Sequence, residues 1–228
     1  MLAESAFFYT FITLAFYEVT SIIQKKIKQA WFNPLLLTIV FTVIMLVAGD
    51  IKYEEYQSGT QIISYLLTPA TVCLAVPLYE KLKVLKENAV AILVGIFSGV
   101  ITSALCVAAV VFIFNLDNTA LATFLPKSVT TAIGVGITEE LGGLATLTAI
   151  TIIITGIIGN ILAEVVCKLF KIKDPVAVGV AIGTSSHAGG TAKALQLGQT
   201  EGAISGLSIA VAGIMTVITA PLFMNLLK

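Results

Sequence analysis

Between Ala89 and Leu116 the chain carries no charged residue, and from Ala203 to Leu227 it carries none either. From Leu144 to Phe170 only Asn160 and Glu164 interrupt an apolar run that Lys168, Lys171, Lys173 and Asp174 bring to a close. About 20 apolar residues suffice to cross the hydrocarbon core of a bilayer, so each run reads as a membrane span. Composition agrees: 57% of the 228 residues are hydrophobic and 11% charged, where soluble domains carry about 25% charge. Thirteen basic residues balance thirteen acidic ones, so no global field recruits nucleic acid or an anionic surface.

In such a chain the exceptional stretch is Val178 to Leu197, apolar at both ends and polar in the middle. Its centre, Gly183-Thr184-Ser185-Ser186-His187-Ala188-Gly189-Gly190-Thr191, is not expected to form a continuous helix. Glycine costs roughly 1 kcal/mol in a helix interior, and Ser and Thr offer the backbone competing hydrogen bonds. In hydrocarbon a broken backbone survives only where protein or a wet cavity satisfies its freed groups. The stretch is therefore a candidate binding site.

Taken in order, the chain opens with an apolar run from Ser5 to Ile23 that follows Met1-Leu2-Ala3-Glu4, which lacks the basic start of a cleaved signal, so the run reads as a retained span. Lys25, Lys26 and Lys28 follow, then a second run from Trp31 to Gly49 with Pro34 near its start, and a polar loop with Asp50, Lys52, Glu54 and Glu55. A third run, Gln61 to Tyr79, contains Pro69 and Pro77, each expected to break or kink a helix. Ala120 to Thr138, with Pro126, Lys127, Gly134 and Gly136, is a further irregular segment. Placing Lys25–Lys28, Lys81–Lys86 and Lys168–Lys173 all on the cytoplasmic side requires Ala120 to Thr138 to dip into the membrane and return. That count gives seven crossings and one re-entrant element, about 7–8 membrane segments in one domain over residues 1–228. Residues 70–80 also echo residues 129–139, and repeated interrupted helices are a mark of transporters with a midplane site. Gly95 with Gly99, Gly156 with Asn160, and Gly202 with Gly206 recur at spacing four, which suits close helix approach.

Each polar residue has two readings. His187 is either a hydrogen-bonded residue of the break or a group that binds a carboxylate or couples protons, since intramembrane ionisable residues are costly and usually functional. Thr184, Ser185, Ser186 and Thr191 either cap two half-helices or, with half-helix N–H groups, hold an anion. Lys193 and Lys127 either reach the interface or supply positive charge, and Glu139 and Glu140 are either solvated or involved in coupling. A Ser186–His187 hydrolase is disfavoured, because adjacent side chains point different ways along a helix or strand. Cys73, Cys106 and Cys167 stand singly in apolar surroundings and read as packing residues. A single histidine leaves no His-based metal cage within one subunit, and no cofactor is expected.

Lys127-Ser128-Val129-Thr130-Thr131, Glu139-Glu140-Leu141-Gly142-Gly143, Ile172-Lys173-Asp174-Pro175 and above all Gly183 to Leu195 resemble the LrgB/CidB family, with Glu201-Gly202-Ala203 and Ala220-Pro221-Leu222 extending the likeness. The last third is specific, and the first third is generic membrane sequence. The resemblance implies a multi-pass protein of the bacterial inner membrane, described as an antiholin-like modulator of murein hydrolase export and autolysis. It also implies kinship with plastid glycolate/glycerate carriers and pyruvate-uptake systems, a smaller LrgA/CidA-like membrane subunit as partner, and a small carboxylate as substrate. The family often has proline after the Thr-Thr pair and arginine near position 193, where this chain has Ala132 and Lys193.

Together these readings give an all-α polytopic membrane protein, expected as a homodimer, that moves a small monocarboxylate by alternating access. Its expected substrate site is Thr184, Ser185, Ser186, His187, Gly189, Gly190, Thr191 and Lys193 with Lys127, Thr130 and Thr131. His187 and Glu139 are the coupling candidates. The helix breaks are expected at Pro69, Pro77, Pro126, Gly134 and Gly136. The alternative is an antiholin-like regulatory or pore-modulating protein without transport of its own.

Overall fold

A computed structural model describes residues 7–27, 33–73 and 75–226, and every regular element among them is helical. Lys28, Trp31, Leu74, the first residues from Met1, and Leu227 with Lys228 lie outside the described residues. The chain divides into two compact units, Met1–Cys73 and Leu74–Lys228.

The first unit contains α1 (Phe8–Ile27), α2 (Pro34–Ala48), α3 (Tyr53–Gly59) and α4 (Gln61–Cys73). Pro34 sits at the start of α2, where its missing N–H costs nothing, and the Asn33 side chain caps the helix by accepting from the Leu36 N–H at 3.2 Å. Hydroxyls join the two helices: Thr20 Oγ1 lies 3.0 Å from Thr38 Oγ1 and donates to the Pro34 carbonyl at 3.2 Å. The acidic stretch expected as a loop in fact contains α3, held to α1 by the Tyr9 hydroxyl donating to Glu55 at 2.5 Å and by Thr10 donating to the Gly59 carbonyl at 2.8 Å.

The second unit contains α5 (Ala75–Glu80), α6 (Leu82–Glu87), α7 (Ala89–Ile113), α8 (Asn118–Phe124), α9 (Thr131–Glu140), α10 (Ala145–Leu169), α11 (Pro175–Leu197) and α12 (Gln199–Leu226). Among the described residues, α7, α10 and α12 are long and apolar enough to cross a membrane. Their outward side chains are large and apolar, among them Val90, Val94, Phe112, Ile153, Ile158, Ile214 and Ile218, the surface expected against hydrocarbon. With α11, the polar-centred helix, they build the interior. Ile92, Ile96 and Val100 of α7 meet Val180 of α11 and Ile204 and Ala212 of α12, while Cys167 of α10 meets Val178, Ile182 and Ala194 of α11. α11 is thus enclosed by α7, α10 and α12. The close approach uses small residues: a Cβ on Gly95 would lie 3.0 Å from Val180, and one on Gly99 would lie 2.6 Å from Thr184. Gly206 has nothing within 4 Å of the corresponding position, so the expected Gly202–Gly206 pairing does not form a contact seam.

Several expected breaks are not breaks. Pro69 lies inside α4, and Gly134 and Gly136 lie inside α9, which runs unbroken from Thr131 to Glu140. Two glycines lower the propensity of a ten-residue helix without interrupting it, because Gly134 is buried tightly against Ile152. Pro77 falls within the short α5, and Pro126 does stand outside helix, in the connection from α8 to α9. Residues 129–139 therefore belong to that connection and to α9, whereas 70–80 fall across α4 and α5. Gly136 is exposed with open space around it. Gly136→Ala is accordingly expected to stabilise α9 by about 0.5–1 kcal/mol, seen as a higher melting temperature in detergent.

Candidate functional site

The break falls in α11, at a single residue. His187 adopts φ 41° and ψ −143° between two helical stretches, a backbone conformation that a non-glycine side chain rarely takes. Its surroundings hold it there. The His187 Nε2 lies 2.8 Å from the Ile152 carbonyl of α10, and since a carbonyl only accepts, Nε2 carries the proton. Nδ1 is then the acceptor, facing the Gly189 N–H at 3.4 Å. Both ring nitrogens are turned to backbone. The carbonyl of Gly189 receives the Asn160 side-chain N–H from α10 at 2.7 Å, and Thr191 donates to the His187 carbonyl at 3.0 Å while lying 2.7 Å from the Ser205 hydroxyl of α12. Gly156 makes room for the ring, since a Cβ there would sit 2.6 Å from His187 Cε1.

On another side of α11, facing α7, lies a half-open cavity of about 370 Å³. Its polar wall comes from Ser98, Thr102, Ser103 and Cys106 of α7, Lys127 and Ser128 of the connection from α8 to α9, and Thr184 and Ser185 of α11. Lys127 Nζ donates to Ser128 Oγ at 3.0 Å, and Ser128 Oγ lies 3.3 Å from Ser103 Oγ. Many wall hydroxyls spend their hydrogens on helix carbonyls: Ser98 on Gly95 at 2.8 Å, Thr102 on Ser98 at 2.7 Å, and Ser185 on Ala181 at 2.7 Å. Thr184 does not. The residue is 5% exposed, and its hydroxyl oxygen is buried with no hydrogen-bond partner among the described residues. A buried hydroxyl left unpaired costs on the order of 1–3 kcal/mol, and its residue forms part of the cavity wall. Ser103, Ser128 and Thr184 also line a smaller chamber of about 10 Å³ that continues toward Thr216 and Thr219 of α12. Unspent donors thus gather on Lys127 and Thr184.

The LrgB-like family model matches residues 13–226. The chain belongs to the LrgB-like family. It is similar to the antiholin-like protein LrgB of Bacillus cereus (strain B4264), 34% identical over 214 residues that make up 93% of each chain. The antiholin-like protein LrgB of Bacillus anthracis (strain CDC 684 / NRRL 3495) gives the same identity and coverage. No solved structure gives a match.

In this LrgB-like protein the residues singled out by sequence separate into four places. Thr184, Ser185 and Lys127 line the cavity. Ser186, His187, Gly190 and Thr191 are buried in the packing of α11, and Gly189 sits against the Gly156 backbone of α10. Lys193 turns to Glu164 at 2.8 Å, and Glu164 also holds Lys168 at 2.7 Å, so the charge of Lys193 is matched outside the cavity. Thr130 is the N-cap residue of α9, where its side chain makes no capping bond. Thr131 is exposed at the start of that helix, and Glu139 is exposed near its end. Ser186 and His187 form no nucleophile–base pair, because the ring nitrogens face Ile152 and Gly189 while Ser186 Oγ lies 2.9 Å from Ser185 Oγ.

Sequence reasoning missed the α7 face and Ser128. The signal was present: Gly95, Ser98, Gly99, Thr102 and Ser103 recur at helical spacing on a run otherwise apolar. Asn160, noted only as an interruption, ties α10 to the break. Cys106, expected to be a packing residue, is exposed and lines the cavity, and Cys73 is exposed as well. Among the described residues no group of three His, Cys, Asp or Glu side chains comes together to hold a metal ion.

Proposed function

We propose that this LrgB-like protein carries small monocarboxylates, of the pyruvate or glycolate kind, across the bacterial inner membrane. One observation supports the reading above the others: a hydroxyl-lined cavity beside α7, a helix long and apolar enough to span a membrane, holds a lysine with no acidic partner and a threonine whose buried hydroxyl has no hydrogen-bond partner among the described residues. A carboxylate leaving water needs hydrogen bonds and charge compensation, and Lys127 with Thr184 supplies both. The 370 Å³ cavity suits a small solute. Seven crossings with a re-entrant dip at residues 120–138, a homodimer, and a small LrgA/CidA-like subunit beside it complete the proposal.

The antiholin-like reading rests on the names of the Bacillus relatives. Purified protein in liposomes, loaded with unlabelled pyruvate or glycolate and offered the radiolabelled acid, separates the two. Carrier function gives transient accumulation by counterflow. Absence of counterflow for every short carboxylate, with and without the small partner subunit, leaves the antiholin-like role standing.

A further inference from the structure

The coupling group follows from the same cavity, and the inference rests on the carboxylate reading. His187, the histidine that sequence favours for coupling, has both ring nitrogens engaged with backbone and does not line the cavity. Glu139 is exposed near the end of α9. Inside the cavity the titratable side chains are Lys127 and, from α7, Cys106. From α11 and α12 the wall and the adjoining chamber present only hydroxyls and apolar groups. His187 lies within electrostatic reach of Lys127 but behind the wall, and Asp117 at the start of α8 is occupied in capping, accepting from the Ala120 N–H at 2.9 Å. Glu164 is held by Lys168 and Lys193. Lys127 has one hydrogen-bond partner, Ser128, and no carboxylate beside it among the described residues.

An ammonium without a counter-ion is disfavoured where water is scarce, and an arriving carboxylate reverses that preference. We propose that the Lys127 amine is the proton carrier of this protein. Unloaded, the side chain is neutral. As the carboxylate enters, the amine takes one proton from water at the cavity mouth, and the ammonium–carboxylate pair it forms has no net charge. On release the anion leaves to the opposite side and the proton follows it to water, so nothing remains oxidised, reduced or covalently changed. The Lys127–Ser128–Ser103 chain, at 3.0 and 3.3 Å, gives the proton a hydrogen-bonded way toward the inner chamber.

The sign is fixed by linkage. Binding that takes up a proton weakens as pH rises, by about tenfold per pH unit between the range of the unloaded amine and the higher range of the amine in the pair. The test uses wild-type protein and Lys127→Arg, which keeps a positive charge but holds its proton. Pyruvate added to weakly buffered wild-type protein in detergent is expected to draw about one proton from solution per molecule bound, and in Lys127→Arg none. In liposomes an inside-alkaline pH gradient is expected to drive pyruvate accumulation by the wild type. Counterflow by Lys127→Arg is expected to fall, and whatever remains should no longer respond to the gradient. Binding without proton uptake by the wild type, or gradient-driven accumulation by Lys127→Arg equal to wild type, overturns the proposal. Should Lys127→Arg not fold, the wild-type proton count decides alone. A wild type that shows no counterflow at all instead overturns the carboxylate reading beneath it.

Discussion

Lys127→Met is expected to weaken pyruvate binding by roughly a hundredfold while leaving the protein folded. Methionine matches the length of the lysine stem and removes the amine, so the carboxylate would enter a wall of hydroxyls with no charge to meet it. Removing one partner from a buried hydrogen-bonded charge pair costs about 2–5 kcal/mol, and about 3 kcal/mol corresponds to the factor given. Folding is not expected to suffer, because the side chain makes one hydrogen bond, to Ser128, and no ion pair among the described residues. Burying an unpaired basic group carries a desolvation cost that an apolar group of similar volume does not. Equilibrium binding of radiolabelled pyruvate to the detergent-purified variant, beside its melting temperature, checks both halves. Unchanged affinity would move the anion site away from Lys127, and with it the proton-carrying role.

The second large effect concerns the packing that holds α11. Gly183→Val is expected to abolish a monodisperse, folded protein. A Cβ at Gly183 would overlap the Ser205 carbonyl oxygen and lie 2.8 Å from both the Ser205 Cα and the Ser208 Cβ of α12. Backbone cannot swing aside as a side-chain end can, so α11 and α12 would have to separate along the seam where both bury most. Overpacking a core costs about 1–3 kcal/mol and more where backbone is involved, and a valine adds two further methyl groups. Gly206→Val on α12 is the control, since nothing lies within 4 Å of its Cβ position. Size-exclusion profiles of the two variants in the same detergent should differ sharply. A well-behaved Gly183→Val protein would show that the α11–α12 contact is looser than the geometry described here.

The break at His187 joins these two results. Its backbone lies in a conformation costly for any residue but glycine, and bonds from α10 and α12 hold it there: Ile152 takes the ring, Asn160 takes the Gly189 carbonyl, and Ser205 meets Thr191. This arrangement places Thr184 and Ser185 on the cavity side of α11 and buries His187 toward α10. A structural role at the break and a binding role at the wall therefore fall to neighbouring residues of one helix.

Much of this was determined by sequence alone. Long apolar runs with few charges dictate α7, α10 and α12 as candidate spans, because hydrocarbon admits no charge cheaply and the helix is the way a continuous apolar run satisfies its own backbone. Clustered Gly, Ser and Thr dictate that α11 is the helix that breaks, and the motif from Gly183 to Leu195 is enough to suggest the family. What each polar residue faces was decided only by tertiary structure. Successive helical residues point about 100° apart, so Ser185 and His187, two positions apart and the second at the break itself, look toward different neighbours. The partner of Lys193 is Glu164, on another helix, and the wall that completes the site belongs to α7, in a run whose apolar character concealed three hydroxyls. Propensity is a local property of the chain, whereas pairing and burial depend on which helices the close-packed small residues allow to meet, and only the folded arrangement of α7, α10, α11 and α12 contains that.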